Sequence, residues 1–276
     1  MSNSQTTGLN RNIIDKYYTN DNAVNLCLSL IKENIVIDKD KDLIIEPSAG
    51  NGSFINGIKC IVDNHLFIDL HPDKNEIIKQ DYLLFNVLPI KDKYKRIHIV
   101  GNPPFGRQSS LAIKFIKKSC EYCDSISFIL PKSFKKDSLK KTFPLNFHLI
   151  KESELPVNSF TVNGKEHDVP CIFQIWEKRI TNREVNEKLE PINFVFVKKT
   201  QEPDISFRRV GVYAGKVDIN IQDKSIQSHY FIKFTNNKPI QKNIETLSVI
   251  HYDFNNTVGP KSISKPELIK EFNKIL

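Results

Sequence analysis

Residues 43 to 54 read Leu43-Ile44-Ile45-Glu46-Pro47-Ser48-Ala49-Gly50-Asn51-Gly52-Ser53-Phe54, and they set the class of fold. The apolar residues 43–45 predict a buried strand. The two glycines let the backbone turn tightly and approach a ligand closely before a helix begins. Glu46 stands ahead of the turn, where its carboxylate would repel phosphate. The pattern therefore argues against a dinucleotide or P-loop site, and it favours a cationic ligand held through ordered water.

Strands and helices alternate on both sides of this turn. The predicted helices cover residues 23–31, with a cap among residues 19–21, and residues 111–120; the predicted strands cover 65–69, 76–79, 96–101, 125–130 and 147–151. Asn163-Gly164 predicts a hairpin turn within residues 157–176, and the return arm 169–176 is a further strand. This order predicts an α/β fold whose sheet is mostly parallel with an antiparallel hairpin at one edge.

The pattern changes after Arg179, where helical periodicity fades. Short strands are predicted at 192–197, 205–213, 230–234 and 246–251, and a helix at 265–275 with Ser264 as its cap. A boundary is expected near residues 180–192. We therefore predict a flexible tail over residues 1–12, a first domain over 13–185 and a smaller β-rich C-terminal region over 186–276.

A second informative turn, Asn102-Pro103-Pro104-Phe105, follows the predicted strand 96–101. Two successive prolines end the strand and stiffen the turn. In open α/β sheets, ligands bind at the carboxyl ends of the strands, which is where this turn lies. An amide beside proline carbonyls is suited to holding an exocyclic amino group. The phenyl ring of Phe105 is suited to stacking on the flat base that bears it.

Acidic residues follow two further strands. Asp69 ends the strand after the glycine turn, and an acidic side chain at that place suits the paired hydroxyls of a ribose. Asp81 follows the predicted strand 76–79, where its carboxylate can accept a hydrogen bond from an adenine amino group. Tyr82 or Leu83 can flank the ring. Asp69 or Asp81 alone could be an ordinary residue at the end of a strand. Their order along the chain, together with the glycine turn and the Asn-Pro-Pro-Phe turn, indicates one binding site.

Composition narrows the cellular context and the partner. The chain has 276 residues, a net charge of +8 and a pI near 9.1, which favours an anionic partner such as nucleic acid. No apolar run reaches the roughly 20 residues of a membrane span, and the first residues lack an apolar signal core. The five cysteines are scattered and the seven histidines lack metal-ligand spacing. We expect an intracellular protein, cytoplasmic or nuclear, with no metal and no membrane contact.

Together, the two turns and the acidic residues resemble those of S-adenosylmethionine-dependent class I methyltransferases of the amino-methylating type. The family's Asp/Glu-Pro-x-x-Gly-x-Gly-x-Phe turn corresponds to residues 46–54, and its Asp/Asn-Pro-Pro-Tyr/Phe turn to residues 102–105. Tyr18-Thr19 is similar to a Phe/Tyr-Thr element ahead of the cofactor turn, although Asn20 replaces the usual proline. The resemblance covers roughly residues 15–178. It implies a Rossmann-like sheet in a catalytic domain, S-adenosylmethionine as cofactor, and substrate recognition by the C-terminal region.

The resemblance also implies roles for individual residues. The expected cofactor-binding residues are Tyr18, Thr19, Glu46, Pro47, Ser48, Ala49, Gly50, Gly52, Phe54, Asp69, Leu70, Asp81, Tyr82 and Asn102. The expected catalytic residues are Asn102, Pro103, Pro104 and Phe105. Phe160 matches a second aromatic that closes the other face of the base, but it fits the hairpin core equally well. Arg107, Lys132, Lys135, Arg208 and Arg209 are candidates for contacts with nucleic acid.

The order of the motifs resembles that of adenine-N6 DNA methyltransferases whose recognition domain is C-terminal. The predicted function is therefore methylation of adenine N6 in DNA. RNA is the alternative substrate, because the same turn serves RNA enzymes. Protein glutamine methyltransferases also use an Asn-Pro-Pro turn, but they usually place a helical domain before the fold. An inactive scaffold is disfavoured because both turns are intact. The oligomeric state is not predicted.

Overall fold

The computed structural model describes residues 17–162, 164–184, 189–252 and 261–276. The predicted tail 1–12 and Asn163 of the hairpin turn lie outside the described residues. The chain divides into two compact units, Met1–Arg183 and Glu184–Leu276. None of the helices in the described ranges is long and apolar enough to cross a membrane.

The first unit contains ten strands and five helices within its described residues. The strands are β1 (Tyr18–Thr19), β2 (Leu43–Glu46), β3 (Asn64–Asp69), β4 (Ile78–Lys79), β5 (Ile97–Gly101), β6 (Ser125–Pro131), β7 (Phe147–Glu154), β8 (Phe160–Val162), β9 (Lys165–His167) and β10 (Cys171–Lys178). The helices are α1 (Asp21–Asn34), α2 (Ile55–Lys59), α3 (Leu88–Lys91), α4 (Ser110–Cys120) and α5 (Asp137–Lys140). Short 3-10 turns cover Tyr82–Leu84, Arg107–Ser109 and Lys132–Lys135.

A seven-stranded sheet forms the centre of this unit, in the order β4-β3-β2-β5-β6-β10-β7. The first five strands in that order are parallel, and β10 pairs antiparallel with both β6 and β7. β2, β5 and β6 are buried along their whole length, as expected for strands covered on both faces. The predicted α/β class is confirmed: the sheet is mostly parallel with an antiparallel edge, and a separate antiparallel sheet lies in the second unit.

The antiparallel edge differs from its prediction in one respect. The arms of the Asn163-Gly164 turn were expected to form the edge of the main sheet. The return arm predicted over 169–176 does so as β10. The residues next to the turn form β8 and β9, which make a separate three-stranded sheet with β1, in which Thr19 pairs with Phe160. The edge of the main sheet is made by β7 and β10. The short β8–β9 hairpin thus fixes the segment 18–19, which the site uses.

Helix α1 begins where the sequence indicated. The side chain of Asn20 is its N-cap and accepts a hydrogen bond from the backbone N–H of Ala23 at 2.9 Å. The Asn20 side-chain Nδ2 also donates to the carbonyl of Asn158 at 2.8 Å. Asn20 therefore caps a helix and ties it to the loop before β8.

A buried polar cluster lies at the amino ends of the parallel strands. Asp42 Oδ2 is 3.2 Å from His98 Nε2 and 2.9 Å from an Arg96 guanidinium nitrogen, and His98 Nδ1 is 2.7 Å from Ser125 Oγ. Because the carboxylate accepts from Nε2–H, Nδ1 accepts the hydroxyl proton of Ser125. Burial is the main cause that holds the pKa of His98 below its ordinary value. The imidazole is therefore neutral in the folded protein near neutral pH.

This histidine predicts a pH dependence of stability. Because the pKa of His98 is lower in the folded state than in the unfolded chain, protonation favours unfolding. The stability that the neutral imidazole contributes is therefore complete above the unfolded pKa, about 6.5, and is lost as the pH falls below that value. At pH 7.5, His98→Gln should lower the free energy of unfolding by roughly 1–3 kcal/mol, because it breaks the buried pairing. That deficit should shrink toward pH 5.5 in urea unfolding experiments. Parallel pH curves for the two proteins would disprove the role assigned to His98.

The second unit is a four-stranded antiparallel sheet with two helices among its described residues. Its elements are β11 (Phe194–Val197), β12 (Ile205–Arg208), β13 (Val217–Asp218), β14 (His229–Phe234), α6 (Ile240–Ser248) and α7 (Lys265–Phe272). The sheet order is β11-β14-β12-β13. One face packs on the helices, with Phe207, Ile232, Leu247 and Phe272 buried together. α7 begins with a capping box between Ser264 and Glu267.

Two strand predictions in this unit are wrong. Residues 246–248 end α6, whose apolar residues Ile240, Ile244 and Leu247 recur at helical spacing. The β-branched residues that follow suggested a strand. The strand predicted over 205–213 ends at Arg208, because the chain turns back at Gly211 and Gly215, whose φ values are +98° and +99°.

Candidate active site

The two turns singled out in the sequence are neighbours in the structure. β2 and β5 are adjacent parallel strands, so the residues that follow them meet at the carboxyl edge of the sheet. The Ser48 hydroxyl donates a hydrogen bond to the backbone carbonyl of Asn102 at 3.0 Å. This bond joins the glycine turn to the Asn-Pro-Pro-Phe turn. The chain therefore brings the predicted cofactor and catalytic residues to one place.

The glycine turn requires its glycines. Gly50 and Gly52 have φ values of +54° and +76°, which L side chains rarely adopt. A Cβ on Gly52 would also lie 2.5 Å from Ile55 Cδ1. The turn is held by Asp69, whose Oδ2 accepts from the Gly50 N–H and whose Oδ1 accepts from the His71 N–H, both at 2.7 Å. Two carboxylate oxygens have about four acceptor sites, so Asp69 retains capacity for ligand hydroxyls.

Glu46 is an unusual buried carboxyl group beside this turn. It is 2% exposed, and its Oε2 has no hydrogen-bond partner among the described residues. The pKa of Glu46 is raised to about 8: burial is the largest cause, the Asp69 carboxylate adds to the rise, and Lys74 opposes it. A buried, unpaired acceptor is costly. The arrangement is suited to a cationic group that would ionise the carboxyl and pair with it.

Tyr18 lies on the other side of the turn. Its ring passes close to Gly50, where a Cβ would lie 3.4 Å from Tyr18 Cε1. The Tyr18 hydroxyl donates to Asp73 Oδ2 at 2.5 Å, and the Asp73 N–H donates to the carbonyl of Gly50 at 3.1 Å. Burial, followed by the hydrogen bond to Asp73, raises the pKa of Tyr18 to about 12. Asp73 was not predicted from the sequence; its position four residues after Asp69 was the only available signal.

Asn102 is fixed in one orientation. Its amide Nδ2 donates to the carbonyl of Tyr17 at 3.4 Å and lies 3.3 Å from Thr19 Oγ1. Because a carbonyl can only accept, the NH₂ group must point to this segment and the amide oxygen must point away. That oxygen, Oδ1, is buried and has no partner within the described ranges. The side chain therefore offers one free acceptor, Oδ1. Because this atom is buried, a donor reaches it only if the turn moves locally.

The Thr19 hydroxyl contacts the amide of Asn102, and this contact predicts that Thr19 positions Asn102. Thr19→Val keeps the shape of the side chain but removes the hydroxyl near Nδ2. We expect kcat to fall about tenfold, since Asn102 keeps its bond to Tyr17 and a neutral hydrogen bond contributes about 1 kcal/mol. KM for the substrate should stay nearly unchanged in steady-state assays. A loss of affinity without a loss of kcat would contradict this role.

The rest of the Asn-Pro-Pro-Phe turn leads directly into a helix. Pro103 is buried, Pro104 is exposed and Phe105 is half-buried. The Phe105 carbonyl accepts hydrogen bonds from the N–H groups of Leu111 at 3.1 Å and Ala112 at 3.3 Å, at the start of α4. Its ring packs against both core clusters of the unit. The aromatic ring is thus anchored from behind, as a stacking surface requires.

Some of the remaining predicted cofactor residues lie at the turn or beside Asp69, and others lie in the core. Pro47 and Ala49 are buried within the turn, Leu70 is exposed beside Asp69, and Asp81 is half-buried. Asp81 Oδ1 accepts from the Leu83 N–H at 2.9 Å, and the Gln80 N–H donates to the Asp69 carbonyl, so Asp81 and Asp69 lie close together.

Three predicted aromatic residues lie in the core instead. Tyr82 is 2% exposed, and its hydroxyl is 2.7 Å from Ser119 Oγ and 2.5 Å from the Tyr122 hydroxyl. Phe54 and Phe160 are each 1% exposed. Phe160 packs in the core with its ring edge against Tyr17. Of the two interpretations that the sequence allowed, this position agrees with the one that places Phe160 in the hairpin core. The proposed site therefore uses none of these three side chains.

The basic candidates differ in their availability. Lys132 and Lys135 both pair with Glu154, at 3.1 Å and 2.6 Å, so one carboxylate partly offsets their charge. Arg107 is exposed next to the Asn-Pro-Pro-Phe turn. In the second unit, Arg209 lies over the ring of Tyr230 at 5.5 Å, and Arg208 lines a cavity. No group of three metal-ligating side chains occurs among the described residues.

Comparisons with known proteins give only distant likenesses. No protein-family model matches the sequence, and no curated protein matches it. Among solved structures, the chain is similar to PH1948 from Pyrococcus horikoshii, described as a suspected RNA methyltransferase, with 18% identity, 60% of this chain and 87% of that chain covered, and a TM-score of 0.42. It is similar to the 23S rRNA methyltransferase ErmE, with 11% identity, 57% and 69% covered, and a TM-score of 0.43.

A third similar structure is the N-methyltransferase NodS from Bradyrhizobium japonicum, with 12% identity, 56% of this chain and 94% of that chain covered, and a TM-score of 0.38. Likenesses this distant do not assign an activity. The function proposed below therefore rests on the residues of the two turns.

Proposed function

We propose that the first unit binds S-adenosylmethionine and transfers its methyl group to the exocyclic N6 of adenine in DNA. One observation carries the proposal: the buried, unpaired Oδ1 of Asn102 stands at the carboxyl edge of the sheet, joined through Ser48 to the glycine turn. An acceptor held this firmly is suited to an amino group. A sheet edge that also holds Glu46 and Asp69 is suited to the methyl donor.

The residues around the glycine turn fit the cofactor. Glu46 is a buried carboxyl group without a partner on Oε2, so it can pair with the amino group of the methionine end. The Gly50 backbone leaves room for close approach, and Asp69 can accept hydrogen bonds from the ribose hydroxyls. Asp81 can accept one from the adenine amino group. When bound, S-adenosylmethionine supplies an activated methyl group on a sulfonium centre.

The catalytic turn then acts on the target base. Adenine N6 is a poor nucleophile because its lone pair is delocalised into the ring. The Asn102 Oδ1 and the Pro103 carbonyl each accept a hydrogen bond from one of the two N–H groups on N6. These two hydrogen bonds draw the nitrogen toward tetrahedral geometry and direct its lone pair at the methyl group. With the methyl donor bound, the N–C bond would form as the S–C bond of the donor breaks, S-adenosylhomocysteine would leave, and the amino group would afterwards lose one proton to water. Positioning and electrostatics provide the rate enhancement.

The base itself is held by stacking. Phe105 is half-buried and supported by the core, so its ring can cover one face of a purine without losing much freedom. A base inside a duplex must leave its stack to reach the turn. The net charge of +8 favours a polyanion as the carrier of this base.

Transfer of a tritiated methyl group to duplex DNA, single-stranded DNA, RNA and a release-factor-like protein, side by side, tests this function. We expect label in DNA, recovered as N6-methyladenine after digestion to nucleosides. Label in RNA alone would replace DNA by RNA as the substrate. Label on protein would overturn the nucleic-acid assignment and would favour glutamine methylation by the same turn.

A further inference from the structure

The second unit contains a cavity with a strongly basic lining. Its volume is about 380 Å³, and it is lined by Ser206, Arg208, Tyr213, Lys216, Asp218, Lys224 and His229. Three of these side chains are cationic and one is a carboxylate. Because all seven residues lie in the second unit, the cavity is separate from the site at the edge of the main sheet.

Strand geometry explains why polar residues collect here. Side chains alternate between the two faces of a strand. Ile205 and Phe207 of β12 enter the apolar core, so Ser206 and Arg208 lie on the opposite face. Arg208 pairs with His229 across the sheet, and Ser206 pairs with Asp218. This face would normally be open to solvent, but here it forms the floor of the cavity.

Hydrogen bonds hold Arg208, Lys224 and His229 in place. The Arg208 Nε donates to the Val210 carbonyl at 2.8 Å, which anchors the guanidinium. Lys224 pairs with Asp218 at 2.7 Å. His229 Nδ1 lies 3.1 Å from the Ser225 carbonyl, which requires a proton on Nδ1. With one lysine offset by Asp218, the cavity retains the charges of Arg208 and Lys216.

One aromatic side chain, Tyr213, lines the cavity together with these charges. Tyr213 is 72% exposed, and Val212 beside it is 83% exposed. Two backbone hydrogen bonds fix the base of the loop that carries Tyr213. The Arg208 N–H donates to the Lys216 carbonyl and the Gly215 N–H donates to the Arg208 carbonyl, both at 2.8 Å. An exposed aromatic ring that shares a cavity with cationic side chains is the combination that binds single-stranded nucleic acid, through stacked bases and paired phosphates.

We propose that this cavity binds a phosphate group of a single nucleic-acid strand while Tyr213 stacks on the adjoining base. The inference does not depend on methyl transfer, because the cavity would grip the strand whatever reaction follows. The same phosphate chemistry could come from a free nucleotide, and the experiment distinguishes the two sources.

The test measures the fluorescence anisotropy of a labelled single-stranded DNA of about twelve nucleotides, with the full chain and no cofactor. Lys216→Gln should weaken binding about tenfold and reduce the slope of log K against log salt by about 0.7, the value for one lost phosphate contact. Tyr213→Leu should weaken binding about tenfold without changing the slope. Both side chains are exposed, so neither change should affect folding, which thermal unfolding checks.

Lys233→Gln is the matched control, since Lys233 is exposed on β14 and does not line the cavity; it should bind like the parent. Unchanged binding by both Lys216→Gln and Tyr213→Leu would overturn the proposal. Competition with AMP and inorganic phosphate should displace the strand only at millimolar concentration. Displacement by micromolar AMP would assign the cavity to a free nucleotide and would overturn the assignment to a strand.

Discussion

Asn102→Leu should lower kcat for methyl transfer by about 10³-fold while leaving the affinity for S-adenosylmethionine within about threefold of the parent. Leucine has nearly the shape of asparagine, but it removes the Oδ1 acceptor that the target amino group requires. Loss of one such electrostatic contact to the reacting atom typically costs 10²–10³ in kcat. Single-turnover transfer of a labelled methyl group gives the rate, and calorimetric titration gives the cofactor affinity.

The control for this substitution is Asn25→Leu, which makes the same chemical change on the exposed face of α1. It should transfer methyl groups at the parental rate. If Asn102→Leu instead loses cofactor affinity and keeps its rate once saturated, then Asn102 serves the cofactor rather than the base. Near-parental turnover by the variant would remove the catalytic assignment of the turn.

Glu46→Gln should weaken S-adenosylmethionine binding by roughly 10- to 100-fold, the effect of losing a hydrogen bond to a charged group. The same change should stabilise the protein measured without cofactor. A pKa raised in the folded state contributes stability that is complete below the unfolded pKa and is lost as the pH rises through the folded value. For Glu46 that value is about 8.

Urea unfolding at several pH values checks this second effect. At pH 3.5, below the unfolded pKa of about 4.3, the two proteins should be nearly equally stable, because the Glu46 carboxyl group is then largely neutral in both the folded and the unfolded state. At pH 8.5 the glutamine variant should be more stable by a few kcal/mol, on the order of 1.4 kcal/mol per unit of pKa shift. Stability curves that run in parallel would mean that Glu46 is not forced to remain protonated, and unchanged cofactor affinity would exclude it from the site.

Much of the first unit could be predicted because its signals are local. Leu43–Ile45 is a continuous apolar run, and Ile97–Val100 is apolar except for His98. Each is followed by a glycine or proline turn, and such runs form buried parallel strands. Adjacent parallel strands place their carboxyl ends together, so the meeting of residues 46–54 with 102–105 follows from the pattern. The unpaired acceptors could not be predicted, because they depend on which neighbours fail to reach them.

The errors arose where tertiary contacts override local preference. Tyr82 follows a strand in the expected position, but hydrogen bonds to Ser119 and Tyr122 turn its hydroxyl into the core. Residues 246–248 contain β-branched and apolar types, yet Leu247 is buried against α7 as part of a helix. The pairing of β8 with β1 joins residues far apart in sequence. No local pattern encodes contacts of that range.

The most direct test of the central claim is the identity of the methylated product. Parent protein and Asn102→Leu are each incubated with labelled S-adenosylmethionine and adenine-containing duplex DNA, and the DNA is then digested to nucleosides and separated. The parent should produce label only in N6-methyladenine, and the variant should produce none above background. Label in a methylated cytosine or at a ring nitrogen of adenine, or equal N6-methyladenine from both proteins, would contradict the account.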